Sequence, residues 1–92
     1  MDGIQQEAAF FKALANPKRL EMVALLQGKD LCVGETTRKI RLPQANVSQH
    51  LMVLRKAKIV NTKKIGQKMY YHIVCPRLIQ ITATMVQHII DR

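Results

Sequence analysis

Residues 43–60 read "PQANVSQHLMVLRKAKIV". Val47, Leu51 and Leu54 recur at helical spacing and make one apolar stripe. Between them stand short polar groups, Asn46, Ser48, Gln49 and His50, and the stretch ends on Arg55, Lys56 and Lys58. A single helix with a core face, a hydrogen-bonding face and a basic end constrains the rest of the chain. It needs a small apolar domain behind it and a polar, anionic surface in front.

The flanks fit that demand. Pro43 suits the first position of a helix running through residue 57, although Leu42 is a poor N-cap. Residues 35–40 suggest a short helix, joined to the next by Arg41-Leu42. A short helix, a tight connection and a second helix with polar groups near its N-terminus form a helix-turn-helix pattern. Residues 59–74, "IVNTKKIGQKMYYHIV", then change period. Two strand-like runs flank "KKIGQK", whose Gly supplies a turn, so a β-hairpin with a basic tip is expected. The plainer alternative is an edge hairpin whose lysines deter aggregation.

Upstream, residues 4–15 read as a first helix with Ile4, Ala8, Phe11 and Ala15 on one face. Pro17 opens a second helix to about residue 27, with Leu20, Val23 and Leu26 inward and Gly28 as its stop. "DLCV" is too short for a helix and reads as a single strand. Residues 76–92 read as a last helix with two apolar rows: Leu78, Ile81, Met85 and Ile89, and Ile79, Ala83, Val86 and Ile90. A helix wet on one side needs one row. The second row suggests a partner, most simply a second copy. The expected fold is mainly α with a small β-hairpin wing: a winged helix-turn-helix of about five helices and two to three short strands. It forms one domain over residues 1–92, with dimerisation helices at both ends.

At 92 residues the chain is one small domain, to which a partner subunit could add much stability. Its net charge of +9 is concentrated. Residues 31–68 hold nine basic groups against Glu35 alone, whereas residues 1–30 balance four against four. Such a field suits a polyanion such as nucleic acid. No apolar run of 18 residues spans a membrane, and "MDGIQQEAAFF" lacks the layout of a signal peptide. A cytoplasmic protein is expected, in which the two cysteines are thiols, ligands or redox groups.

An enzyme is not expected. There is no Ser/His/Asp grouping, no paired carboxylates and no phosphate-cradling glycine loop. The alternative is a small basic RNA-binding module without a sensing role. It would need exposed aromatics for stacking, and Phe10, Phe11, Tyr70 and Tyr71 all sit in apolar stretches. For duplex DNA, the expected base-reading residues are Gln44, Ala45, Asn46, Ser48 and Gln49. Those expected on the backbone are Arg55, Lys56, Lys63, Lys64, Gln67 and Lys68.

On "FKALANPKRLEMVALL", "LCVGE", "LPQANVSQHLMVLRKAKIV" and "GQKMYYHI", the chain resembles the ArsR/SmtB family of winged-helix repressors. The resemblance runs from Ala9 to the C-terminus. It implies a homodimer joined through the first and last helices, and repression from a double-stranded operator with an inverted repeat. It also implies release by a small inducer, either a metal ion or a thiol-reactive species.

For the inducer, the resemblance offers three places. Arsenical-type sites pair two cysteines just before the third helix; Cys32 matches the first, and Gly34 stands where the second would be. Last-helix metal sites match Cys75, Arg77, His88 and Asp91. Arg77 cannot ligate, which leaves Cys75, His88 and Asp91 able to hold zinc or a similar ion. The third is redox sensing by Cys32 and Cys75, which fall on strands that tend to pair in a winged helix; thiol sensors of the resembled family instead hold their pair in the second and last helices, and Met22 and Val23 stand in the second here. A bond between them would need Cα atoms within roughly 7 Å.

Overall fold

The computed structural model describes residues 2–75. The expected last helix, with His88 and Asp91, lies outside the described residues. Helices and strands follow in the order α1 (Asp2–Leu14), α2 (Pro17–Leu25), β1 (Leu31–Cys32), α3 (Val33–Ile40), α4 (Gln44–Lys56), β2 (Val60–Ile65) and β3 (Lys68–Ile73). The helices are layered around one core, and the three described strands form an antiparallel sheet in the order β1-β3-β2. This is the mainly helical, winged arrangement that the periodicity implies.

Local chemistry sets each boundary. Asn16 caps α2, its Oδ1 accepting from the N–H groups of Lys18 and Arg19 at 2.9 and 3.1 Å. Pro17 follows at the first helical position, where its missing N–H costs nothing. Gly28 (φ +69°) turns the chain toward β1. The third helix begins at Val33, two residues before the expected start. The cause is a capping box: Cys32 is the N-cap, and its N–H donates to Glu35 Oε1 at 3.1 Å. Thr36 Oγ1 and Thr37 Oγ1 then donate back to the carbonyls of Cys32 and Val33.

Helix α4 ends in a Schellman motif. The N–H of Ile59 reaches Leu54 O and that of Lys58 reaches Arg55 O, both at 3.0 Å. Lys58 takes the left-handed conformation (φ +62°) that this motif requires. The motif delivers Ile59 and Val60 into the core and starts β2. β2 and β3 pair from Val60↔Ile73 to Ile65↔Lys68, so the ladder runs to the two-residue turn Gly66-Gln67. Of the two, only Gly66 (φ +64°) has positive φ, as a type II′ turn requires. The wing lysines therefore stand on paired strands, not in a loose tip.

The core joins α1, α2, β1, α3, α4 and β2. Met22, Val23, Leu26, Val47, Leu51, Leu54 and Val60 are at most 1% exposed. On α1 the buried residues are Phe10, Ala13 and Leu14, not the expected row of Ile4, Ala8, Phe11 and Ala15. That row faces away: Ile4 is 68% and Phe11 60% exposed. Both rows have helical spacing, and the one that meets α2 and α4 lies in the C-terminal half of the helix. Leu20 packs at the core's edge.

Candidate nucleic-acid interface

Val47, Leu51 and Leu54 are fully shielded and fasten α4 to the domain. The opposite face is therefore presented outward by geometry. Gln44, Ala45, Asn46 and Gln49 are exposed, and Met52 (55% exposed) continues their face toward Arg55 and Lys56. Ser48, the remaining expected base-reading residue, is half-buried on the flank.

Pro43 precedes α4 and offers no side-chain cap. The N–H groups of Asn46 and Val47 are satisfied by Pro43 O at 3.0 and 3.2 Å. The amide positions before them stand at the positive end of the helix. Arg41, which closes α3, is left-handed (φ +63°) and exposed beside this end. A face of amides and a methyl, entered through a positive helix end, can hydrogen-bond base edges in a major groove.

The wing supplies cations of two kinds. Lys64, Gln67 and Lys68 are exposed, and Lys64 and Lys68 form no ion pair among the described residues. Lys63 Nζ, by contrast, lies 2.6 Å from Asp30 Oδ2. Ile65 (54% exposed) and Met69 (48%) sit beside these lysines. Tyr70 and Tyr71 are half-buried, and Tyr71 packs on the core, so the wing lacks freely exposed rings for base stacking. The Asp30 pairing has no signal in local sequence, because the partners lie far apart along the chain.

His50 sits on the flank of α4 that faces α2. Its Nδ1 is 3.2 Å from a guanidinium nitrogen of Arg19, whose Nε donates to Ala13 O at 2.5 Å. Burial, and then the Arg19 charge, hold the His50 imidazole below its ordinary pKa. No sequence expectation included Arg19. It lies 31 positions from His50, beyond the reach of any periodic signal.

The two thiols do not meet. Cys32 pairs in register with Tyr70, five residues before Cys75. β3 runs on from Tyr70 to Ile73, about 10 Å at roughly 3.3 Å per strand residue, before the chain reaches Cys75, which is beyond a disulfide's reach. The expectation that strand pairing brings them together fails because the short β1 meets β3 near its middle. Both are free cysteines; Cys75 packs at the core's edge near Phe10, Phe11 and Ala57. Among the described residues no three His, Cys, Asp or Glu side chains gather as a metal site. Nor is any described helix long and apolar enough to cross a membrane.

The family description "Bacterial regulatory protein, arsR family" matches residues 16–62, from the α2 cap into the wing. The "Transcriptional repressor SmtB homolog" of Synechocystis is 29% identical over 97% of this chain and 67% of its own length. Among solved structures, HlyU from Vibrio cholerae superposes with a TM-score of 0.82 at 29% identity, covering 92% of both chains. The homodimeric winged helix-turn-helix DNA-binding domain Mb0332 from Mycobacterium bovis gives 0.83 at 27% identity, over 96% of this chain and 81% of that one. Helix order, wing and matched segment agree: the chain belongs to the arsR family of bacterial regulatory proteins, DNA-binding transcriptional regulators and not enzymes.

Proposed function

We propose that the chain is a cytoplasmic, sequence-specific repressor that reads duplex DNA with α4 and grips the flanking backbone with its wing. One observation carries this reading: α4 buries Val47, Leu51 and Leu54 completely while presenting Gln44, Ala45, Asn46 and Gln49 to the outside. Ser48 serves from the flank. Arg55, Lys56, Lys64, Gln67 and Lys68 hold phosphates, with Lys63 contributing less. The protein acts as a homodimer, in keeping with the homodimeric Mycobacterium bovis domain that it resembles. The uncovered Ile4 and Phe11 supply one half of the contact, and the apolar rows of residues 76–92 the other. Two α4 helices then fall about 34 Å apart on an inverted repeat.

A small inducer releases the operator. The separation of Cys32 and Cys75 argues against a disulfide within one subunit. Thiol-reactive species acting on either cysteine alone, or a zinc-like ion held by Cys75, His88 and Asp91, are the two routes to compare. Release screens on reduced, metal-free protein, repeated with Cys32→Ser, Cys75→Ser and His88→Ala, distinguish them.

The test of the reading itself compares a duplex selected by the protein from a random library with an unrelated duplex. Gln49→Ala should lower affinity for the selected duplex by roughly 1–3 kcal/mol and flatten sequence preference. Lys64→Ala should weaken both duplexes alike. Equal losses on both duplexes from both variants would refute base reading by α4.

A further inference from the structure

We propose that Arg19 is a positioning residue for DNA reading, holding α4 in its binding attitude through His50, so that operator affinity requires a neutral His50. The inference rests on the proposed DNA-reading role of α4.

The geometry is specific. Arg19 leaves the first turn of α2, whose start is fixed by the Asn16 cap and Pro17. Its guanidinium then serves two other helices at once. Nε holds Ala13 O near the C-terminus of α1, and a terminal nitrogen meets Nδ1 of His50 on α4. The helices so joined are those that pack on α4 from this side. An arginine has donors and no acceptor, so His50 Nδ1 must accept. It can accept only while that nitrogen carries a lone pair.

Protonation removes the lone pair and sets two cations against each other at hydrogen-bonding distance. The other charged groups on this side are Lys12 of α1 and Lys56 of α4, which line the cleft around Arg19 with Ala9, Ala13 and Val53. Both are cationic, and among the described residues no carboxylate lines that cleft. Burial and the Arg19 charge both disfavour a charged imidazole, which lowers its pKa. As pH falls through that lowered value the contact opens, and α4, still packed through Val47, Leu51 and Leu54, loses this polar tie to Arg19 of α2.

The sign of the effect makes it testable. A basic protein that merely gains protons binds DNA more tightly on acidification, because added positive charge attracts phosphate. Loss of Arg19–His50 works the other way. Affinity for a duplex selected from a random library at about pH 8 would be measured by anisotropy down to about pH 5, across the histidine range. Wild type should lose on the order of ten-fold in specific affinity. His50→Gln, whose amide oxygen can accept from Arg19 without titrating, should not show that loss. His72→Gln, the other histidine in the described fold, should retain it. Arg19→Met should bind weakly at every pH, and Arg19→Lys should recover little because it cannot serve both acceptors.

A wild-type affinity that holds or rises on acidification overturns the proposal, as does an equal loss in His50→Gln. NMR separates this from failure of the DNA reading itself. In free protein, the His50 ring should titrate at higher pH in Arg19→Met than in wild type, with α4 amides shifting along the wild-type titration. If no duplex binds at any pH, that titration still decides whether the tie exists. A His50 titration unchanged by Arg19→Met overturns it.

Discussion

Asp30 Oδ2 and Lys63 Nζ lie 2.6 Å apart. Asp30 precedes β1 and Lys63 stands on β2, so the pair bridges the two outer strands across β3. Both side chains are partly exposed, at 38% and 47%. A pair of that exposure contributes about 0–1 kcal/mol to stability. Its larger consequence is for DNA, because it occupies one of the wing's three lysines, Lys63, Lys64 and Lys68.

Asp30→Asn should therefore release Lys63. Duplex affinity should rise without a change in sequence preference, and the salt slope should steepen by about 0.9 for one added phosphate contact. Lys64→Ala should flatten the slope by a similar amount, and Lys63→Ala by less. Anisotropy titrations at several salt concentrations measure all three. Equal flattening by both lysine variants, with no change in Asp30→Asn, would show that the pair opens on DNA.

Two basic residues occupy backbone conformations that glycine adopts more readily. Lys58 closes the Schellman motif after α4 at φ +62°, and Arg41 closes α3 at φ +63°. The left-handed conformation costs an L-residue roughly 1–2 kcal/mol. Lys58→Gly should therefore stabilise the domain by about 1 kcal/mol, raising Tm by roughly 4–8 °C for a chain of this size. Arg41→Gly should stabilise similarly but weaken DNA binding, since Arg41 lies beside the start of α4. Thermal denaturation and duplex titration on the same samples test that split.

How much of this is legible in the sequence depends on the range of the signal. The α4 stripe of Val47, Leu51 and Leu54 announces its burial by period alone, and the hairpin announces itself by Gly66 between two strand-like runs. The buried face of α1 is not decided that way, because Phe10-Ala13-Leu14 and Ile4-Ala8-Phe11 both satisfy helical spacing. Periodicity does not say which row meets its own core. The early start of α3 is hidden because cysteine is not a usual N-cap; the Cys32-to-Glu35 capping spacing is the available signal. The Asp30–Lys63 and Arg19–His50 contacts join residues remote in the chain. Only the folded protein brings them together, and in sequence a paired lysine looks like a free one.

Glu35 gives the α3 cap a pH dependence. Accepting from the Cys32 N–H, then from the Cys32 thiol, lowers its carboxyl pKa; Arg38 and Lys68 add smaller attractions. The folded pKa thus lies below the unfolded value, and the unfolded chain binds more protons between them. The stabilisation is present in full above the ordinary carboxylate range and is lost as pH falls through the lowered folded value. Glu35→Gln should reduce the urea midpoint near neutral pH, and the gap from wild type should close at low pH. A gap that stays constant on acidification would assign the loss to packing instead.

Phe11 meets Phe10 edge-on, with ring centroids 5.6 Å apart at 86°, yet their fates differ. Phe10 is 8% exposed and belongs to the core, whereas Phe11 is 60% exposed on the row shared with Ile4. An aromatic ring left in water on a helix face, with Ile4 on the same side, forfeits burial worth about 1.5–3 kcal/mol per side chain. If that patch lies at the two-fold axis, as proposed, it meets itself and recovers that burial twice. Phe11→Glu should then place like charges at the symmetry axis and give monomers in sedimentation at micromolar concentration. Its unfolding midpoint should fall only with the lost dimer, because Phe11 lies outside the core. Selected-duplex affinity should collapse while each monomer keeps its weak affinity for unrelated DNA. A monomeric wild type under the same conditions would remove the dimer, and with it the expectation of an inverted-repeat site.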